Sequence, residues 1–369
     1  MLLVSSSSLF AQQTRLIVGT YTVGASEGIY VYDFNTATGA AKLLDSAKTS
    51  NPSFLAVSAD GKKVYTVNEN GKGEGGGTVT AYSFAKTDGK LTQLNKQSAA
   101  GNHPCYIALD KTGGWAAVGN YTSGTVTLLR IRTDGSLGDT TVTIQHAGSG
   151  PNKSRQAGPH VHAAVFSPDN KYLLVTDLGT DKIITYGFNE LTGQLTTLNR
   201  QTGGDLPTAV LPAGSGPRHL SFHPNRKWVY SVQELSGTIT TFDYNGGKLT
   251  EKGVASLLPS DYRGTPTSAH VQVSPDGRFL YASNRNPSNT IAIFKIDVVE
   301  GSLELIGHQS SGGKAPRHFN FDPSGNFLLV ANQDTDNITI LRINRKTGQL
   351  SPTGQEIKVS KPVCVQWAR

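Results

Sequence analysis

Residues 274–284 read Ser274-Pro275-Asp276-Gly277-Arg278-Phe279-Leu280-Tyr281-Ala282-Ser283-Asn284, a tight turn running straight into a β-forming stretch. Proline presets φ at the second turn position, Asp and Gly suit the next two, and Phe, Leu and Tyr favour a pleated, half-buried surface. The same turn-plus-strand unit recurs at Ser58-Ala59-Asp60-Gly61, Asp110-Lys111-Thr112-Gly113, Ser167-Pro168-Asp169-Asn170, His223-Pro224-Asn225-Arg226 and Asp322-Pro323-Ser324-Gly325. The second residue of each tetrad serves as an anchor. The anchors fall at 59, 111, 168, 224, 275 and 323, at intervals of 52, 57, 56, 51 and 48 residues. An apolar strand precedes each anchor and a second follows it, as in Val64-Tyr65-Thr66-Val67 or Phe327-Leu328-Leu329-Val330. A third alternates (Gly124 to Leu129), and Thr192-Gly193-Gln194-Leu195 or Thr347-Gly348-Gln349-Leu350 announces a fourth. Four strands in roughly 50 residues is the period of a propeller blade.

The two ends of the chain complete the count. Residues 15–21 read as a second strand lacking a first, and Pro362-Val363-Cys364-Val365-Gln366-Trp367 as a first strand lacking a second. Paired, they make a seventh blade and close the ring, which removes the exposed edges of an open array. The expected fold is therefore an all-β, seven-bladed β-propeller with four antiparallel strands per blade, one domain over residues 14–369.

Composition agrees with this and narrows the function. Of 369 residues 41 are Gly and only 17% are charged, while 37% are hydrophobic, so a disordered polyelectrolyte and a coiled coil are excluded. The formal charge of +7 favours an anionic partner, but no run of five Lys or Arg exists, so nucleic acid is not expected. No apolar stretch reaches the ~18 residues of a membrane span. Residues 1–13 are apolar and Ser-rich with a small residue, Ala11, before a polar pair. They read as a signal-peptide remnant or leader, and export would make the protein periplasmic or secreted, with the cytoplasm as the alternative. Cys105 and Cys364 lie in apolar runs and read as buried free thiols. A ring with both termini tied in needs no oligomer, so a monomer is expected.

The repeat also aligns chemistry. Six residues before the anchors stand Ser53, Cys105, His162, Arg218, Ala269 and Arg317; ten after stand Glu69, Tyr121, Leu178, Glu234, Arg285 and Gln333. Both positions sit at the end of a hairpin away from its turn, and so on one rim of the central channel. His219, His270 and His318 come one residue further along the inner strands, and His160 lies near the same rim. Inner-strand polar residues can simply line a wet channel. A His, a Glu and two Arg at matched positions go beyond lining: Arg presents a planar fork to carboxylate or phosphate, and His and Glu are acid–base groups. His160-Val161-His162 is a weak metal pattern, with His219 or Glu234 as a third ligand. Gly71 to Gly77 lacks the order of a phosphate loop and reads as a blade connection, and no nucleophile elbow is read in the chain.

Taken together, Gly216-Pro217-Arg218-His219 with His223-Pro224 and Gln233-Glu234-Leu235, Val18-Gly19-Thr20-Tyr21-Thr22, Gly158-Pro159-His160-Val161-His162, Val175-Thr176-Asp177-Leu178-Gly179 and Ala282-Ser283-Asn284-Arg285 resemble the lactonase family of seven-bladed propellers. That family includes propeller-type 6-phosphogluconolactonases and carboxy-muconate cyclases. The resemblance implies ring-opening hydrolysis of a small anionic sugar lactone or sugar acid derivative, without cofactor or metal. It places the site on His162, Arg218, Glu234 and Arg285. His162 or Glu234 would be the catalytic base. Arg218 and Arg285, helped by His219, His160, His270, Arg317 and Glu69, would bind substrate. A muconate-type cyclising isomerase and a non-catalytic binding propeller are the alternatives.

Overall fold

The computed structural model describes residues 13–197 and 206–368, so the leader reading falls outside the described residues but for Gln13. Phe54–Val57, Lys63–Asn68, Thr78–Phe84 and Leu91–Ser98 form one antiparallel sheet in sequence order, and the same meander repeats around the molecule. The other inner strands are Pro104–Leu109, Val161–Phe166, Pro217–Phe222, Ser268–Val273, Pro316–Phe321 and Pro362–Ala368. Each touches the inner strand on either side, and Pro362–Ala368 returns to Phe54–Val57, so the ring is closed. Seven sheets are found among the described residues, as the anchors and the two half-blades require.

One blade departs from four strands. Its outer position is split between Gln194–Thr196 and Ala209–Val210, which pair with opposite ends of Lys182–Asn189.

Burial follows blade position. The second strands Trp115–Asn120, Tyr172–Asp177, Trp228–Gln233, Phe279–Asn284 and Phe327–Asn332 are buried at every residue, because adjacent blades cover both faces. Their near-continuous apolar runs are the sequence trace of that burial. Outer strands such as Leu137–Gln145 and Leu350–Lys358 are exposed over most of their length. The turns cap themselves: Ser274 Oγ donates to Asp276 Oδ1 (2.6 Å) and accepts from the Phe279 amide (3.0 Å).

Blades are latched by aromatic side chains. The hydroxyls of Tyr65, Tyr230 and Tyr281 donate to the carbonyls of Gly135, Gly301 and Gly348 in the next blade (2.9, 2.9 and 2.6 Å). A Cβ on Gly301, whose φ is +73°, would stand 2.3 Å from the Trp228 ring, so the outer turn there needs glycine both for its backbone and for space.

Closure rests on Gln13–Thr20, which pairs with Gly28–Asn35 on one side and Pro362–Ala368 on the other. Trp367 drives its ring edge-on against Phe34 at 5.1 Å and is almost wholly buried. Trp367→Ala is expected to destabilise the protein by about 3–5 kcal/mol in urea unfolding, the usual cost of emptying so large a core site. A loss under about 1 kcal/mol would mean that this strand does not hold the ring shut.

Candidate functional site at one mouth of the channel

Five of the six residues that stand six before an anchor share a backbone irregularity; Ser53, whose hairpin pairs without a slip, does not. Pairing between first and second strands slips at Pro104/Tyr106, Val161/Ala163, Pro217/His219 and Pro316/His318, which leaves Cys105, His162, Arg218 and Arg317 as bulge residues. In the next blade round from Arg218 the slip spans Ser268/Val271 and takes in Ala269 and His270. A bulge re-aims side chains, and here it lets Arg218 and His219, neighbours in sequence, both serve the channel. The Arg218 carbonyl is held by Thr176 Oγ1 (2.8 Å).

The residues ten after each anchor are fixed by a repeated hydrogen bond. The amides of Glu69, Tyr121, Leu178, Glu234, Arg285 and Gln333 donate to the carbonyls of Asn51, His103, His160, Gly216, Thr267 and Ala315 (2.8–3.3 Å). Tyr21 makes the same bond to Lys361 (3.0 Å) and is the seventh member of the set, which the anchor alignment missed. At Gly216 φ is +65° and a Cβ would meet the Leu235 side chain at 2.6 Å, so glycine is required beside Glu234.

Glu234 is the hub. Its Oε2 accepts from Arg218 Nε (3.0 Å) and faces Arg285 Nη2 at 2.9 Å, while Oε1 takes Arg155 Nη2 at 2.5 Å. Burial alone would raise this carboxyl, but Arg285 and Arg218, with His162 and Arg155, overcome it and hold Glu234 far below the usual carboxylate range. Arg218 is buried, and burial, then the like charges of Arg317 and Arg285, pull its guanidinium down to about 9. Arg155 was invisible to sequence reading because it sits in the connection 146–160, outside any repeat. Its side chain also donates to the Tyr121 hydroxyl (3.3 Å).

His162 is buried beside this cluster. Its ring meets Tyr121 and His219 edge-on (5.5 and 5.3 Å), and its Nδ1 lies 3.7 Å from Cys105 Sγ. Burial, then Arg218, pushes the imidazole well below its ordinary value, so it is neutral near pH 7. Cys105 and Cys364 are both free and buried, and burial pushes both thiols up.

Glu69 and Arg317 form a second group at the mouth, 4.0 Å apart, with the Tyr21 hydroxyl donating to Glu69 (2.9 Å). His160 stands apart from both: it stacks on Tyr121 at 4.4 Å and turns Nδ1 to that residue's carbonyl (3.0 Å). It precedes the strand on which His162 is a bulge, so the two imidazoles are not a same-face pair. No group of three or more metal-ligating side chains is found among the described residues.

His219, His270 and His318 lie one layer deeper than the rim. Arg218 Nη1 donates to His219 Nε2 (3.2 Å), so His219 carries its proton on Nδ1 and donates it to His270 Nδ1 (2.8 Å). The Val365 amide donates to His318 Nδ1 (3.3 Å). The rings Phe54, Tyr106, His219, His270 and His318 close a cycle of neighbours 4.1–5.4 Å apart, and Phe54 meets His219 across it at 5.7 Å. This layer is a septum. Beyond it a cavity of about 420 Å³ opens toward the other face, lined by Phe222, Gln272, Asn320 and Gln366 among others.

One string in the sequence has the letters of a nucleophile elbow without its structural context. Gly24-Ala25-Ser26-Glu27-Gly28 has the Gly-x-Ser-x-Gly form, but it links two antiparallel strands and is followed by no helix. Ser26 Oγ is buried against Thr20 Oγ1 (2.5 Å) with no histidine partner among the described residues, so it is no nucleophile elbow.

Comparison with known proteins agrees with the fold. The family model described as Lactonase, 7-bladed beta-propeller matches residues 15–367. The chain is 35% identical over 355 residues to the 6-phosphogluconolactonase of Bacillus subtilis, covering 95% of this chain and 97% of that one. It is 38% identical over 351 residues to the 6-phosphogluconolactonase of Formosa agariphila (94% and 97% covered). The solved structure of the periplasmic gluconolactonase of Pseudomonas aeruginosa superposes with a TM-score of 0.90 at 35% identity, covering 96% of this chain and 99% of that one.

The buried imidazoles predict a pH dependence of stability. Burial pushes His162, His219 and His270 well below the ordinary value and His318 down to about 3. The unfolded chain therefore binds more protons below its histidine pKa, and stability present above pH ~6.5 is lost as pH falls, by up to about 1.4 kcal/mol per histidine per unit. Urea midpoints between pH 7 and 5 should fall steeply, and His318→Gln should flatten the slope. A flat profile for the unaltered protein would contradict the buried neutral assignment.

Proposed function

The chain belongs to the family of seven-bladed β-propeller lactonases, and on that premise we propose that it hydrolyses a sugar lactone at the mouth of its channel, 6-phosphogluconolactone being the compound its relatives' names point to. The observation that carries this reading is one neutral imidazole, His162, beside guanidinium groups braced on a single carboxylate.

Lactone opening needs a base for water and a positive field for the carbonyl oxygen. Glu234 is a poor base, because the arginines stabilise its ionised form. Its role is to brace the guanidiniums of Arg218, Arg285 and Arg155. His162, kept neutral, offers the lone pair. It takes a proton from water as the oxygen attacks the lactone carbonyl. The oxyanion develops beside Arg218 and Arg285. Collapse breaks the ring C–O bond, and the imidazolium returns its proton to the departing alkoxide. The aldonic acid then ionises and releases one proton to solvent, so acid release reports turnover.

His162→Asn is expected to lower kcat by about 10²–10⁴-fold in an acid-release assay on phosphorylated and unphosphorylated gluconolactone. Glu234→Gln should also impair turnover, by about 10²-fold or more, since it unbraces the guanidiniums. Because His162 titrates well below its ordinary value, kcat/KM should hold as pH falls through 6.5. A wild-type protein that opens neither lactone, or a His162→Asn variant with full activity, would sink the assignment.

A further inference from the structure

Four guanidiniums stand at the channel mouth, and three of them are engaged. Arg218 bonds Glu234, the Ala269 carbonyl and His219; Arg285 bonds the Thr267 carbonyl through Nε (2.9 Å) and pairs with Glu234; Arg155 bonds Glu234 and Tyr121. Arg317 differs. Its guanidinium makes no hydrogen bond among the described residues, its closest carboxylate oxygen is Glu69 Oε1 at 4.0 Å, and it lies 5.3 Å from the centre of the Tyr21 ring. Its side chain is 17% exposed. The guanidinium is open to the channel rather than sealed, so its five donors are free to take an acceptor that enters there.

Position and charge say what that is. Arg218, Arg285 and Arg317 come from three successive blades. The blade between Arg218 and Arg317 places the small Ala269 at the bulge and Arg285 at the rim, so the three guanidiniums are close enough to repel one another. Four Arg face two carboxylates, Glu234 and Glu69, while His162 is neutral and burial keeps the Tyr21 phenol protonated. The mouth thus carries two positive charges that no side chain offsets. We propose that Arg317 is the anchor for a phosphate monoester dianion, which makes it the residue that selects a phosphorylated sugar lactone over a plain one. The inference rests on the lactonase reading for its site but not for its chemistry. A phosphate offers three oxygens in the geometry the guanidinium fork matches, and a lysine supplies the charge without the fork.

The test reads binding and not turnover, so a failure of lactone hydrolysis leaves it intact. Titrate the full-length protein with inorganic phosphate, glucose 6-phosphate and gluconate by calorimetry. Wild type should bind both phosphates at least 10-fold more tightly than gluconate. Arg317→Ala should lose at least 30-fold for glucose 6-phosphate, and Arg317→Lys should recover only part of it. Glu69→Gln, which removes the competing carboxylate, should tighten phosphate binding several-fold, a gain that misfolding cannot mimic. Phosphate affinity unmoved by Arg317→Ala, weakened by Glu69→Gln, or matched by gluconate overturns the proposal.

Discussion

A propeller blade cannot bury both of its faces alone. Every fully buried second strand here is dry only because another blade stands on each side, and that holds for all seven only if the ring closes. Closure is a backbone matter: Gln13–Thr20 sits between Gly28–Asn35 and Pro362–Ala368 in one antiparallel sheet. The position of the inner strands, and with them the bulges that aim His162, Arg218 and Arg317, follows from that constraint.

The site shows how a repeat fold makes one unrepeated place. Most blades offer the same two rim positions, one at an inner-strand bulge and one tied by its amide to a carbonyl of the neighbouring strand's lead-in. The sequence fills them unequally, with Arg218, Arg285 and Arg317 crowded on three successive blades and Ser53, Cys105 and Tyr121 elsewhere. A single carboxylate, Glu234, gathers three of the guanidiniums. Burial first, and then the like charges of Arg317 and Arg285, weaken the hold of Arg218 on its proton.

Much of this was legible in the chain. Turn tetrads are local chemistry, so Ser274-Pro275-Asp276-Gly277 and its counterparts announce blades without tertiary knowledge. The anchors then placed His162, Arg218, Glu234, Arg285, Glu69 and Arg317 on one rim. What they could not reach has physical reasons. Arg155 arrives from a connection outside the repeat. Tyr21 belongs to the closing blade, whose two halves share no anchor turn. The depth of His219, His270 and His318 depends on bulges, which shift a strand's facing by one residue and leave no mark in its alternation. The outer strand split around Lys182–Asn189 likewise escapes a pattern that announces only where a strand begins.

The aromatic septum gives the channel one door. With Phe54, Tyr106, His219, His270 and His318 in mutual contact, nothing the size of a sugar threads from one face to the other. Whatever enters past the arginines must leave the same way. If the lactone binds at this mouth, as proposed, ring opening turns it into an acid with one more negative charge beside the same guanidiniums. Traffic through a single charged entrance makes the departing acid a rival of the next lactone, so accumulated product should throttle the enzyme by competition.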